Sequence, residues 1–275
     1  MVSEASVRSH ASVGHAGRLP GRTLVTVTSG SSSVNKAVTA NCPAGKKVVG
    51  AGGEILSGNG YVLITDVIPN QSLTSVTVQG GENSAWTYNW QVRAYAMCAP
   101  ESSVGNLQRV TQAAANNGTS DSVKTATAEC PDELRLYGTG FEINDANGAV
   151  FPERLEPDAG LTRVDTTARE NGTFNGTWSW TAYAICGDPR ATMTLVSASS
   201  AVDSYTTHGA TTNVCPAGTT LTGAGFDSWG TVGWALVDRL SLSLTLDQVS
   251  VNAWEDRPWG LGPPCAETGY AICVS

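Results

Sequence analysis

The feature that most constrains this chain is a pair of cysteines in a fixed frame, met three times. Cys-Pro opens each frame, at Cys42-Pro43, Cys130-Pro131 and Cys215-Pro216. Tyr-Ala-Met-Cys or Tyr-Ala-Ile-Cys closes it, at Tyr95–Cys98, Tyr183–Cys186 and Tyr270–Cys273. The two cysteines stand 56, 56 and 58 residues apart. Framing this even marks a repeated unit and points to disulfides Cys42–Cys98, Cys130–Cys186 and Cys215–Cys273 in an oxidising compartment. Closing a loop of that length restricts the unfolded chain by about 4 kcal/mol. Zinc is the weaker reading of these cysteines. There is no C-x-x-C, and His10, His15 and His208 lie away from the frames.

The frames align almost without gaps. Eight and ten residues past each opening cysteine stand Gly50 and Gly52, Gly138 and Gly140, Gly223 and Gly225. Glycine at alternate strand positions bares one face, so a backbone or ring must come close there, or the strand bulges. An acid follows in every copy: Glu54, Glu142, Asp227. Alternating apolar residues such as Val25/Val27 and Leu240/Leu242 recur, and no 3.6-residue stripe appears, so the chain reads as all-β. The repeats span residues 23–101, 102–189 and 190–275, behind a polar arm at residues 1–22. A period of about 85 residues suits a disulfide-closed β unit rather than a solenoid rung. Three such units make either a pseudo-threefold, prism-like assembly or tandem β-sandwiches, and the short linkers favour compact packing.

Composition removes several classes of function. The net charge of −8 and pI near 4.8, without a Lys/Arg cluster, exclude a nucleic-acid partner. No apolar run reaches the length of a membrane span. The arm lacks the apolar stretch of a secretory signal. It is expected to lie on a neighbouring subunit, as in a homo-oligomer held through residues 1–22.

The pattern Cys-Pro-Ala-Gly, then Gly-x-Gly and an acid, closed by Trp and Tyr-Ala-Ile-Cys, resembles a group of actinobacterial secreted proteins carrying this module in one or several copies. The likeness runs from residue 23 to the end. Repeat 2 departs at Cys130–Glu133 (CPDE), and repeat 3 has Cys265 where Trp90 and Trp178 stand eight residues before the closing cysteine. The resemblance implies an extracellular location and a β module, without a reaction.

Candidate sites are few. The acids Glu54, Glu142 and Asp227 read either as a Ca²⁺ site converging on a pseudo-threefold axis or as side chains bonded within their own repeats. His208 has no nucleophile motif around it, and the Gly-rich stretches lack the helix that a phosphate site needs. A polysaccharide hydrolase would need two unequal carboxylates across a cleft, for instance near Asp227, Asp238 or Asp256. Trp229, Trp254 and Trp259, with Asp256 beside them, have no aligned aromatics and sit in polar, turn-like text, so they read either as a cap or as ligand- or partner-binding residues. Residues 254–264 also resemble the exposed loop of an inhibitor. Cys265 reads as a small buried thiol, a competitor for Cys215 or Cys273, or an intermolecular bridge. The expectation is therefore a non-enzymatic extracellular binding or assembly protein, a structural or adhesive piece of an extracellular or virion particle. Its partners would be protein subunits or a cell-surface glycan. A secreted carbohydrate-binding lectin and a polysaccharide hydrolase are the alternatives. No catalytic residue, metal or cofactor is expected.

Overall fold

The computed structural model describes residues 5–8 and 18–275, except 84–85, 147, 173, 231–234 and 256–263. Trp259, Asp256, Trp234, His10 and His15 lie outside the described residues. The chain is all-β, and the described residues contain no α-helix. An N-terminal strand, β1 (Ala5–Arg8), is followed by six strands from each repeat. Repeat 1 gives β2 (Thr23–Thr28), β3 (Lys36–Asn41), β4 (Lys46–Leu56), β5 (Val62–Pro69), β6 (Ser75–Glu82) and β7 (Gln91–Pro100). Repeat 2 gives β8 (Gln108–Ala113), β9 (Val123–Glu129), β10 (Arg135–Asn144), β11 (Val150–Pro157), β12 (Arg163–Glu170) and β13 (Ser179–Gly187). Repeat 3 gives β14 (Met193–Ser199), β15 (Thr207–Thr211), β16 (Thr220–Trp229), β17 (Ala235–Leu242), β18 (Val249–Glu255) and β19 (Ala266–Val274).

No sheet belongs to one repeat. The orders are β1-β2-β7-β4-β17-β18-β15, β3-β6-β5-β10-β13-β8 and β14-β19-β16-β11-β12-β9. Each repeat thus places its first, third and sixth strands in one sheet and its second, fourth and fifth in another. The third strand of each repeat pairs with the fourth strand of a neighbour, through β4–β17, β10–β5 and β16–β11. These exchanges close a ring of three, a triangular prism rather than three sandwiches in a row.

The paired glycines explain why the ring closes. The register slips between Val48 and Gly50, Leu136 and Gly138, and Leu221 and Gly223. At each slip a carbonyl of one repeat turns onto the glycine of another. A Cβ on Gly138 would lie 2.8 Å from the Gly50 Cα, and one on Gly223 would lie 2.6 Å from the Gly138 Cα. One on Gly50 would overlap the Thr222 carbonyl oxygen. Gly50, Gly138 and Gly223 therefore meet around the pseudo-threefold axis. Gly52, Gly140 and Gly225 face the carbonyls of Leu240, Val67 and Leu155 on the neighbouring strands. Both sequence readings of these glycines hold: the strands bulge, and backbone lies against them.

Inside the prism the three sheets share one core, with Trp90, Trp178, Trp180, Phe141 and Phe226 wholly buried. The disulfides Cys42–Cys98, Cys130–Cys186 and Cys215–Cys273 form as spaced, with Cα atoms 5.7, 5.6 and 5.6 Å apart. Each ties the segment after the second strand of a repeat to its sixth strand, and so ties two sheets together. Part of the arm is in place on its own chain, because β1 pairs with β2 at the edge of the first sheet. The equivalent first strands of the other repeats, β8 and β14, end their sheets.

Candidate functional site

The three aligned acids do not converge. Glu54, Glu142 and Asp227 lie on β4, β10 and β16, in three different sheets, each at a junction between repeats. Glu54 accepts from Tyr95 Oη at 2.7 Å and Arg93 Nη1 at 3.0 Å in its own repeat, and from Arg239 Nε at 3.0 Å across the junction. Glu142 accepts from the Tyr183 hydroxyl and stands opposite Asp66. Asp227 stands opposite Arg154, while Tyr270 Oη donates to Glu156 Oε1 at 3.1 Å. Of the three, only Glu54 bonds across a junction, to Arg239; Glu142 bonds within its own repeat, to Tyr183, and Asp227 faces Arg154 in the strand register. Asp66 is buried and accepts from the Ile143 amide at 2.8 Å and Thr65 Oγ1 at 2.7 Å. Burial, with Glu142 adding to it, pushes the Asp66 carboxyl up to about 6.

Of the sequence-predicted binding residues, Trp229 ends β16 and is 59% exposed. Trp254 is half-buried on β18, donates its indole N–H to Asp238 Oδ2 at 2.7 Å, and lies over Gly60. That contact leads to an aromatic run that sequence reading missed. Beside Gly60, Tyr61 stacks on Trp86 with centroids 4.2 Å apart and planes 13° apart. Trp86 in turn meets Tyr88 at 5.0 Å, tilted by 51°. Tyr88 is 68% exposed and Tyr61 44%. Tyr61, Trp86 and Tyr88 thus form an aromatic run in repeat 1, and Trp254 of repeat 3 packs on Gly60 beside it. The spacing Trp86-x-Tyr88-x-Trp90 was the signal available, but the partner Tyr61 is distant in the chain.

A second constellation appears when the repeats are superposed by register. In repeat 1, Trp90 donates Nε1–H to Glu82 Oε1 at 2.8 Å, and Lys36 Nζ lies 3.3 Å above its ring. In repeat 2, Trp178 donates to Glu170 Oε1 at 2.7 Å, under Lys124 Nζ at 4.7 Å. The bridges Ser32–Trp90, Thr119–Trp178 and Asp203–Cys265 identify the third member. There Lys has become His208, Trp has become Cys265, and the acid remains as Glu255. Cys265 Sγ lies 2.9 Å from His208 Nε2 and 3.2 Å from Glu255 Oε1, and these last two lie 3.3 Å apart. His208 Nδ1 faces Asp203 Oδ1 at 3.5 Å. His208 lies away from the cysteine frames, as its position in the sequence suggests, yet beside the unframed Cys265. The strand pairing of β15 with β18 brings it to Cys265, which is outside every disulfide.

The same centre holds Glu267, opposite Ser228, where the other repeats bury the pairs Ile55–Val92 and Ile143–Trp180. Ser228 Oγ donates to Glu267 Oε2 at 2.7 Å, while Glu267 Oε1 has no hydrogen-bond partner. Burial pushes the Glu267 carboxyl up to about 8. Burial, and then the Glu255, Asp203 and Glu267 carboxylates, push the Cys265 thiol up to about 12. That is opposite to what a nucleophilic cysteine needs. His208, Glu255, Cys265 and Glu267 line one small enclosure. The arrangement suits holding a small cation or a proton. No family profile matches the chain, and no curated protein shows significant similarity to it.

Proposed function

We propose that this is a non-enzymatic binding protein of an oxidising, extracellular setting, and that the aromatic run Tyr61–Trp86–Tyr88, with Trp254 beside it, is its ligand surface. The observation that carries this reading is the exposed stack itself. Rings already stacked on one another lose their hydration readily and lose little side-chain freedom when a flat apolar face covers them. The faces of sugar rings fit that description, which favours a cell-surface glycan as ligand. Three disulfides suit such a setting, as does the resemblance to secreted actinobacterial modules. No helix among the described residues is long and apolar enough to cross a membrane.

A second reading, assembly into an extracellular or virion particle, rests on β1. This segment adds a strand to the edge of β2, while the matching edges at β8 and β14 are exposed. Strand addition to such an edge is a general route to joining chains. The discriminating experiment is a glycan array probed with the full-length protein and with Trp86→Ala, alongside light scattering of both full-length protein and a form lacking residues 1–22. Glycan retention that weakens about tenfold in Trp86→Ala, the ~1.4 kcal/mol of one aromatic contact, supports the binding reading. No glycan retained, with an oligomer that falls to monomer without the arm, replaces it by the assembly reading.

A further inference from the structure

Repeat 3 differs from its siblings in the kind of polar group it buries. In repeats 1 and 2 each centre holds a carboxylate, an ammonium and an indole: Glu82, Lys36, Trp90 and Glu170, Lys124, Trp178. Repeat 3 keeps the carboxylate of Glu255 and faces it with an imidazole and a thiol. It adds Asp203 behind the imidazole and Glu267 in place of Val92 and Trp180. Buried carboxylates cost stability unless a cation or donors offset them. Lys36 and Lys124 supply that cation in the first two repeats. Repeat 3 has given up its lysine while gaining acids.

We propose that His208 Nε2, Cys265 Sγ and Glu255 Oε1 are ligands of a structural divalent cation of the zinc class. The three donor atoms already lie 2.9, 3.2 and 3.3 Å from one another. Tetrahedral zinc with bonds of about 2.0–2.3 Å sets its ligands roughly 3.3–3.7 Å apart, so the side chains need open by only a few tenths of an ångström. Asp203 Oδ1 faces the other imidazole nitrogen at 3.5 Å, on the side from which metal-bound histidines are oriented. An independent sign is Glu267. This wholly buried side chain lines the same enclosure, and its Oε1 lacks any partner. A buried carboxylate oxygen left without a donor on the wall of the enclosure shows that this centre carries more acid than its own donors offset. The mix of sulfur, nitrogen and carboxylate oxygen selects zinc over calcium or magnesium, which take oxygen alone. On binding, the Cys265 S–H bond gives its proton to solvent as the sulfur–metal bond forms, with no change in oxidation state. All three ligand side chains are buried, which makes the metal part of the fold.

The test uses the full chain with its disulfides intact, stripped with a chelator in urea and refolded with or without zinc chloride. Bound metal is then measured by mass spectrometry after desalting. The expected result is one zinc per chain, a urea midpoint raised by zinc and lowered again by chelator, and a thiolate charge-transfer absorption when cobalt replaces zinc. His208→Ala and Cys265→Ser should each bring the bound zinc below about a tenth of an equivalent, as expected when one of so few ligands is lost. If these single variants fail to fold, the double variant H208K/C265W restores the pattern of repeats 1 and 2 and is expected to fold without metal and ignore zinc. A wild-type protein that refolds and retains no stoichiometric zinc overturns the proposal. So does zinc retained by H208K/C265W, or cobalt bound without the thiolate band.

Discussion

Repeats 1 and 2 bury an indole where repeat 3 buries a thiol, and the two solutions teach different things about one scaffold. In the first two, Trp90 and Trp178 fill the space between sheets, and each ring also satisfies a buried acid and carries a lysine above it. Volume, hydrogen bond and charge are settled by one side chain. In repeat 3 the volume is given up and the acids multiply, yet β15, β18 and β19 keep the places of their counterparts. The axis explains this tolerance. Gly50, Gly138 and Gly223 fix the strands by backbone contact, so the centres between sheets can diverge without moving them. One centre has been released from packing duty.

The largest effect should come from taking the indole away where it is structural. Trp178→Ala leaves Glu170 and Lys124 buried around a cavity, and should lower stability by about 3–5 kcal/mol in urea unfolding. Cys265→Ala, measured without metal, should cost about 1 kcal/mol, since it removes a small side chain and a weak S–H donor. Equal losses at the two positions would break the comparison, because Cys265 would then be packing as the tryptophans do.

The pH dependence sharpens the contrast. Glu267 keeps its proton up to about pH 8 in the fold, against an ordinary value near 4.5. The folded state therefore binds more protons than the unfolded one in that window, and stability falls as pH rises from about 4.5 to about 8. Asp66 acts in the same direction, from 3.8 to about 6. Lys36 in repeat 1 has the opposite sign. Burial lowers it from 10.5 to about 8, so its contribution grows as pH rises above 8. In chelator-treated protein, Glu267→Gln should flatten the decline between pH 6 and 8 and make it shallower below 6, where the Asp66 share remains. An unchanged slope between 6 and 8 would remove Glu267 from the account of this centre.

Much of the fold was legible because it is written periodically. The cysteine frames and the glycine pairs recur at fixed offsets, and the structure keeps both. The exchange of strands between repeats was not legible, since β4, β10 and β16 look alike and nothing local says which neighbour each will pair with. The centre of repeat 3 was hidden for a different reason. Glu82, Glu170 and Glu255 stand at the same offset of 40 residues from their opening cysteines, a triplicated signal that passed unread. His208 is one residue out of step with Lys36 and Lys124 relative to its cysteine, so it aligns only through the strand register. Glu267 becomes informative once its partner Ser228 is known to replace an isoleucine.

The smallest effects return to the junctions, where the three repeats should again rank rather than match. Each closing-strand tyrosine donates its hydroxyl to an acid, but what else holds that acid differs. Glu142 has no arginine opposite it across the junction, because Asp66 occupies the place that Arg239 and Arg154 take at the other two. Tyr183→Phe therefore removes a donor that a second acid makes more valuable, and should cost about 2 kcal/mol. Glu54 keeps Arg93 and Arg239 when Tyr95→Phe removes its hydroxyl, so about 1 kcal/mol is expected there. Tyr270 makes a longer bond to Glu156, which Arg154 already holds, and Tyr270→Phe should cost about 0.5 kcal/mol. Urea midpoints for the three variants test the order directly. If Tyr95→Phe proves the most costly, the arginines do not share the load at Glu54, and the inter-repeat ion pair contributes less than its geometry implies.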